Sequence, residues 1–166
     1  MDDVLKTKIL RLLGAHRTMT LATVRPDGWP QATTVGYVNQ GLDIFFLCGA
    51  DSQKTGSLAH DDRVSLTIDQ DCDDIMTIEG LSMAARARPV TDRKEVLRIL
   101  TMLVDRYPSQ PSFRGPLPEP ETMRVFRLVP EVISVLDYSK GFGHTDLVVL
   151  GPADEPVLVR ATGAPA

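Results

Sequence analysis

The chain has 166 residues, 43% of them hydrophobic and 24% charged, with a formal net charge of −4. That length suits one domain with its own core, and the composition is that of an ordinary globular protein. No basic face emerges, so a nucleic-acid partner is not expected. No apolar run approaches the roughly 18–20 residues that a transmembrane helix needs, so no membrane partner is expected either. "MDDVLKTKILRLLGAH" is charged throughout and lacks the apolar stretch of a signal peptide. Two cysteines, Cys48 and Cys72, make no disulfide framework. The default expectation is a cytoplasmic protein.

Leu5, Ile9, Leu12 and Leu13 recur at helical spacing before Gly14, which predicts an amphipathic helix over 2–14. Met19 and Leu21 then alternate with threonines up to "RPDG", whose proline, aspartate and glycine are turn chemistry. A second strand is expected around Gln31–Val38 and, after "NQG", a third over Leu42–Cys48. A short helix near Gln53–His60 leads to a fourth strand in which Val64, Leu66 and Ile68 alternate with Ser65 and Thr67. The acidic loop "DQDCDD" opens a long strand from about Ile75 to Val90, with Gly80 expected to be a bulge or bend. Asp92 and Glu95 form a capping pair for a helix carrying Val96, Leu100, Leu103 and Val104 on one stripe.

Residues 107–122 hold five prolines and read as a stiff connection, of a length suited to a lid or an interface arm. "MRVFRLV" and "EVISVLDY" read as a final strand pair hinged at Pro130, and 151–166 as a tail that is an arm or disordered. The β-α-β alternation of a doubly wound fold is missing. Closure of six antiparallel strands into a small barrel over 18–138, with flanking helices, removes the sheet edges most simply. The expected fold is therefore mainly β (α+β), in one domain over 1–150.

The stretch "CGADSQKTGSLAH" carries the chemistry. A helix start presents unpaired N–H groups and about half a positive charge, which suits an anion. Ser52 can cap that helix and give its hydroxyl to a phosphate oxygen, while Lys54 adds a full charge in the first turn. Each charge-assisted bond to a phosphate contributes about 1.5–3 kcal/mol. The competing reading is a serine-capped surface helix with a solvated lysine.

Several motifs stand in a fixed order: Leu21-Ala22-Thr23, Asp27-Gly28-Trp29-Pro30, Ser52-Gln53-Lys54, Leu58, and Asp62-Arg63-Val64-Ser65-Leu66. Together they resemble the pyridoxamine 5'-phosphate oxidase-like flavin-binding proteins, well over about 15–90 and more loosely over "VFRLVPEVISVLDYSKGFGH". The resemblance implies a six-stranded split β-barrel that forms a tight homodimer, with FMN in a groove between the subunits. By position, Thr33, Thr34 and Val35 would line the flavin ring, and Phe46 and Leu47 would touch the ring or the ribityl chain. Ser52, Gln53 and Lys54 would meet the phosphate.

The chain departs from the oxidases proper, which carry arginines where Ala32 and Gln53 stand and an Arg-x-His pair near the C-terminus. The resemblance therefore implies a relative in the general stress protein-like branch rather than an oxidase of vitamin B6. The expected activity is an FMN-dependent oxidoreductase or flavin reductase acting on a small organic substrate, with no catalytic acid or base named. Deazaflavin F420 is the alternative cofactor. A flavin-binding stress or storage protein without turnover is the alternative role, and a haem-degrading relative would need His144 in the groove.

Other signals fail on spacing. "GFGH" at Gly141–His144 has Asp146 at the third glycine position of a dinucleotide fingerprint and no crossover helix after it. Its alternatives are a surface loop, or a groove loop with Tyr138, Phe142 and His144 facing substrate. "DQDCDD" has Asp74 where a calcium loop needs glycine. His16, His60 and His144 lack the paired spacing of a metal site, so no metal is expected. Cys48 reads as a buried structural thiol.

Overall fold

The computed structural model describes residues 1–107 and 120–151, and the backbone of the strand at 156–162. Its organising element is a 15-residue strand with alternating burial, long enough to hold several partners. That strand, β7 (Met123–Asp137), lies against β6 (Glu79–Val90) along one edge. Its other edge is divided. Met123–Leu128 pair with β4 (Asp43–Gly49), and Val132–Leu136 pair with β8 (Thr145–Leu150).

Pro130 falls between the two pairings, where its missing N–H removes no ladder bond. On the β6 side the register slips there, Ala84 facing Val132 and Ala85 facing Pro130, so Glu131 is the extra residue of a bulge. The expected strand pair hinged at Pro130 is thus one bulged strand that changes neighbours.

The remaining strands are β1 (Thr18–Val24), β2 (Pro30–Gly36), β3 (Val38–Gln40), β5 (Arg63–Ile68) and β9 (Pro156–Thr162). The sheet runs β2-β1-β5-β6-β7-β4-β3, with β8 on β7 and β9 on β8, all antiparallel. It is a mainly β split barrel, as expected, but of nine strands among the described residues rather than six. The difference has local causes. Tyr37 interrupts the second expected strand and creates β3, while β8 and β9 use residues read as loop and tail. The proline-rich connection lies outside the described residues except for its ends.

Three helices complete the fold: α1 (Asp3–Ala15), α2 (Gln53–His60) and α3 (Arg93–Arg106). The stripe Leu5, Ile9, Leu12 and Leu13 of α1 joins the main core with Met19, Leu21, Phe46, Leu66, Met83, Leu128 and Ile133. On the other face of β4, α3 buries Ile99 and Leu103 against Val38, Phe45 and Val125. The Arg106 guanidinium, at the end of α3, donates to the carbonyls of Leu13, Gly14 and His16 at 3.1, 2.7 and 2.5 Å. These are acceptors that the last turn of α1 leaves open. A hollow of about 310 Å³ between β3 and α3, lined by Val38, Asn39, Met102, Asp105 and Arg106, lies on this side.

A second tie holds α1 to the barrel. Lys8 Nζ lies 2.5 Å from Asp137 and 2.9 Å from Glu79, and Arg11 reaches Glu79 at 2.6 Å. Burial works to raise the Asp137 carboxyl, but the bonds from Lys8 and Ser139 outweigh it and hold the group below its ordinary value. A carboxyl more acidic in the folded chain stabilises the fold fully above the ordinary carboxylate range, about pH 4. That contribution drains away as pH falls through the folded value.

Gly80 pairs in register with Leu136, so the expected bulge lies elsewhere, at Ala84/Ala85. Gly80 is needed for close approach: a Cβ there would stand 2.9 Å from the Ile68 carbonyl oxygen and 3.1 Å from Asp69 Cβ.

Two outcomes are expected in denaturant melts. Gly80→Ala should cost about 1–3 kcal/mol, because backbone must move to admit the methyl. Asp137→Asn should be less stable than the parent at neutral pH, and the gap should narrow as pH drops below about 4.

Candidate functional site

The loop after β4 turns on small residues, and Ser52 ends it in extended geometry as the cap of α2. Its Oγ accepts from the Thr55 N–H at 3.3 Å and lies 3.1 Å from Thr55 Oγ1. The Thr55 hydroxyl in turn donates to the Gly49 carbonyl at 2.8 Å and sits 3.3 Å from Cys48 Sγ. A thread of short polar contacts therefore ties the strand end to the helix start. The first N–H groups of α2, those of Gln53 and Lys54, have no carbonyl behind them in the helix and face outward from its end. No acidic residue occupies the first turn. Asp51, just before the cap, is exposed.

Lys54 is half-buried, and its Nζ donates to Thr33 Oγ1 of β2 at 2.8 Å, across 21 residues of chain. Among the described residues it is in no ion pair. A cation held in place by one neutral hydroxyl, with helix N–H groups beside it, is matched to an anion rather than to the protein's own carboxylates.

The expected site residues divide accordingly. Thr33, Ser52 and Lys54 come together, with Gln53 exposed at the first position of α2. Thr33 and Val35 share the inner face of β2, and Val35 packs on the main core. Thr34 lies on the opposite, exposed face with Ala32. Phe46 and Leu47 point to opposite faces of β4. Phe46 is fully buried and stacks on Phe126 at 5.5 Å, while Leu47 packs in the cluster under α3. Neither side chain joins the Thr33–Lys54 group.

The "GFGH" loop lies at the other end of β7. Tyr138 and Phe142 meet edge to face at 5.5 Å, and Gly141 and Gly143 take positive φ of 136° and 75°. His144 Nε2 is buried without a hydrogen-bond partner, 3.4 Å from Asp146. Within one chain these groups are remote from Lys54. Among the described residues no group of three or more His, Cys, Asp or Glu could hold a metal ion. Asp74 of the acidic loop caps a 3-10 turn over Ile75–Thr77, accepting from the Met76 N–H at 2.9 Å. Among the described residues no helix is long and apolar enough to cross a membrane.

Sequence reasoning missed Thr55, although Ser-x-x-Thr at a helix start is a readable capping pattern. It also missed that Lys54 meets Thr33, a contact made only by the curl of the sheet.

A curled antiparallel sheet with a cationic helix start on its rim is a split-barrel architecture. The profile of the family described as pyridoxamine 5'-phosphate oxidase matches residues 5–137, and the chain belongs to that family. No curated protein matches it. Among solved structures it is similar to a conserved hypothetical protein of Mycobacterium tuberculosis, at 26% identity and TM-score 0.69, covering 84% of this chain and 86% of that one. A pyridoxamine 5'-phosphate oxidase-related, FMN-binding protein of Nostoc punctiforme shares the fold at 17% identity and TM-score 0.70, covering 96% and 95%. So does HutZ, the haem storage protein of Vibrio cholerae, at 21% identity and TM-score 0.63, covering 76% and 90%.

Replacing Ser52 with alanine should remove the cap and lower stability by about 1 kcal/mol. A thermal melt of the variant beside the parent checks this.

Proposed function

We propose that the chain binds FMN by its 5'-phosphate at the start of α2 and serves as an oxidoreductase for a small organic substrate. The observation that carries this reading is the half-buried Lys54 ammonium, which among the described residues is bonded to the neutral Thr33 hydroxyl and to no carboxylate. A phosphate monoester brings about −1.5 to −2 charges and several acceptor oxygens. Lys54 and the open N–H groups of α2 offer a matching set of donors, with Ser52 taken up by the cap that holds them in place. The inner face of β2, with Thr33 and Val35, lies beside them as a platform for the rest of the ligand.

FMN, when bound, supplies hydride or electron transfer. The chain's own task is to hold the phosphate, orient the ring and shield it from water. No side chain is assigned as catalytic acid or base. The two cofactor-binding surfaces are completed by a second copy of the chain. Strand β2 ends the sheet with seven residues whose outer edge is unpaired among the described residues, and exposed Ala32 and Thr34 add no charge to discourage a neighbour. A homodimer covers that edge and makes a groove of two half-sites.

Titration of the purified protein with FMN, FAD, F420 and haemin tests the reading by fluorescence and absorbance. FMN should bind most tightly, and Lys54→Ala should weaken it by about 1.5–3 kcal/mol. Preference for F420 would retain the phosphate anchor and change the cofactor. Tight haemin binding sensitive to His144 would replace the reading altogether.

A further inference from the structure

Strand β7 begins beside the same corner. Met123 pairs with Gly49 and Arg124 with Cys48, and just before them the Ala50 N–H donates to the Thr122 carbonyl at 2.8 Å. Directly opposed residues of antiparallel strands share a face. Two residues along, Phe46 and Phe126 stack on each other, which fixes that face as the inner one. Arg124 therefore rises next to Cys48, whose thiol touches Thr55, which touches the Ser52 cap.

The bonding of Arg124 sets it apart. Arg63 pairs with Asp61 at 2.6 Å, Arg86 and Arg88 each with Asp62 at 2.8 Å, and Arg127 with Asp43 at 2.5 Å. Of the arginines on β5, β6 and β7, Arg124 alone has no carboxylate partner among the described residues. Its Nη1 donates to the backbone carbonyls of Glu121 and Met123 at 3.3 and 3.0 Å, and among the described residues the other side of the fork has no acceptor. Two cations that have no counter-ion among the described residues, one on α2 and one on β7, thus stand on either side of a single helix start.

We propose that Arg124 is the second cation of the anchor and binds the ligand's phosphate from the β7 side. This rests on the phosphate reading of Lys54 given above. One ammonium and a helix start leave a phosphate dianion short of full compensation. A guanidinium supplies what they lack, since it presents two parallel donors to two oxygens, where an ammonium acts as a point charge. The site so formed discriminates by the phosphate: it selects the phosphorylated flavin over riboflavin, which has the same ring and ribityl chain and no anion.

The experiment compares FMN and riboflavin binding to the full chain and to Arg124→Gln, by quenching of flavin fluorescence. The parent should favour FMN, and the variant should lose about tenfold in FMN affinity while holding riboflavin as before. Arg124→Lys should fall between them, and the salt dependence of FMN binding should flatten in R124Q. Unchanged riboflavin affinity also shows that the groove is intact. If R124Q keeps the parent's preference for FMN, the role of Arg124 is overturned while the Lys54 anchor stands. If R124Q loses both ligands, Arg124 shapes the groove and does not bind phosphate. If the parent itself holds riboflavin as tightly as FMN, both readings fall.

Discussion

Every element of this fold is positioned by the division of one strand between two neighbours. β7 keeps β6 from Val125 to Asp137 but gives its first half to β4 and its second half to β8. A strand cannot change partners without a break in its ladder, and Pro130 supplies the break because it has no donor to lose. The bulge at Glu131 bends the chain at the same place, so the sheet curls as it splits. That curl turns the inner faces of β4 and β7 toward α1 and sets β2 within reach of α2.

The rim of the barrel shows how local chemistry is arranged around that frame. Elsewhere Arg63, Arg86, Arg88 and Arg127 are matched to carboxylates, and α1 is tied down by the Lys8–Asp137–Glu79 network. At the start of α2 the pattern reverses. Ser52 and Thr55 satisfy the loop's polar groups among themselves, which leaves Lys54 with a neutral partner and its charge unspent. Folding alone gives no reason to place a half-buried ammonium there, since surface ion pairing would be the ordinary solution.

Much of this was legible in the sequence because it depends on local order. The 3.6-residue stripe of α1, the Asp92–Glu95 cap of α3 and the Ser52 start of α2 all report short-range physics, and the structure has each in place. Where the sequence misled, a long-range partner decided the outcome. Pro130 reads as a hinge until β4 and β8 are seen to meet on either side of it. Gly80 reads as a bulge or bend until the Ile68 carbonyl is found where a Cβ would stand. The site was legible in part for the same reason. Ser52 and Lys54 announce a helix start, but that Thr33 receives the lysine and that Arg124 faces Cys48 depend on register, which no spacing encodes. The resemblance places Phe46 at the flavin by position, whereas in the folded chain it is fully buried and stacks on Phe126.

The Arg106 clamp has a consequence for how this scaffold tolerates change. Its guanidinium grips the end of α1 while Tyr107 holds the Arg17 carbonyl, so the chain leaves α3 from a fixed point. It re-enters at another, where Thr122 bonds Ala50 beside the start of α2. With both ends anchored, lengthening the intervening segment adds only a logarithmic entropy cost, about 0.6 kcal/mol per doubling. Evolution is thereby free to vary the length of chain between those two moorings without renegotiating the barrel beneath it.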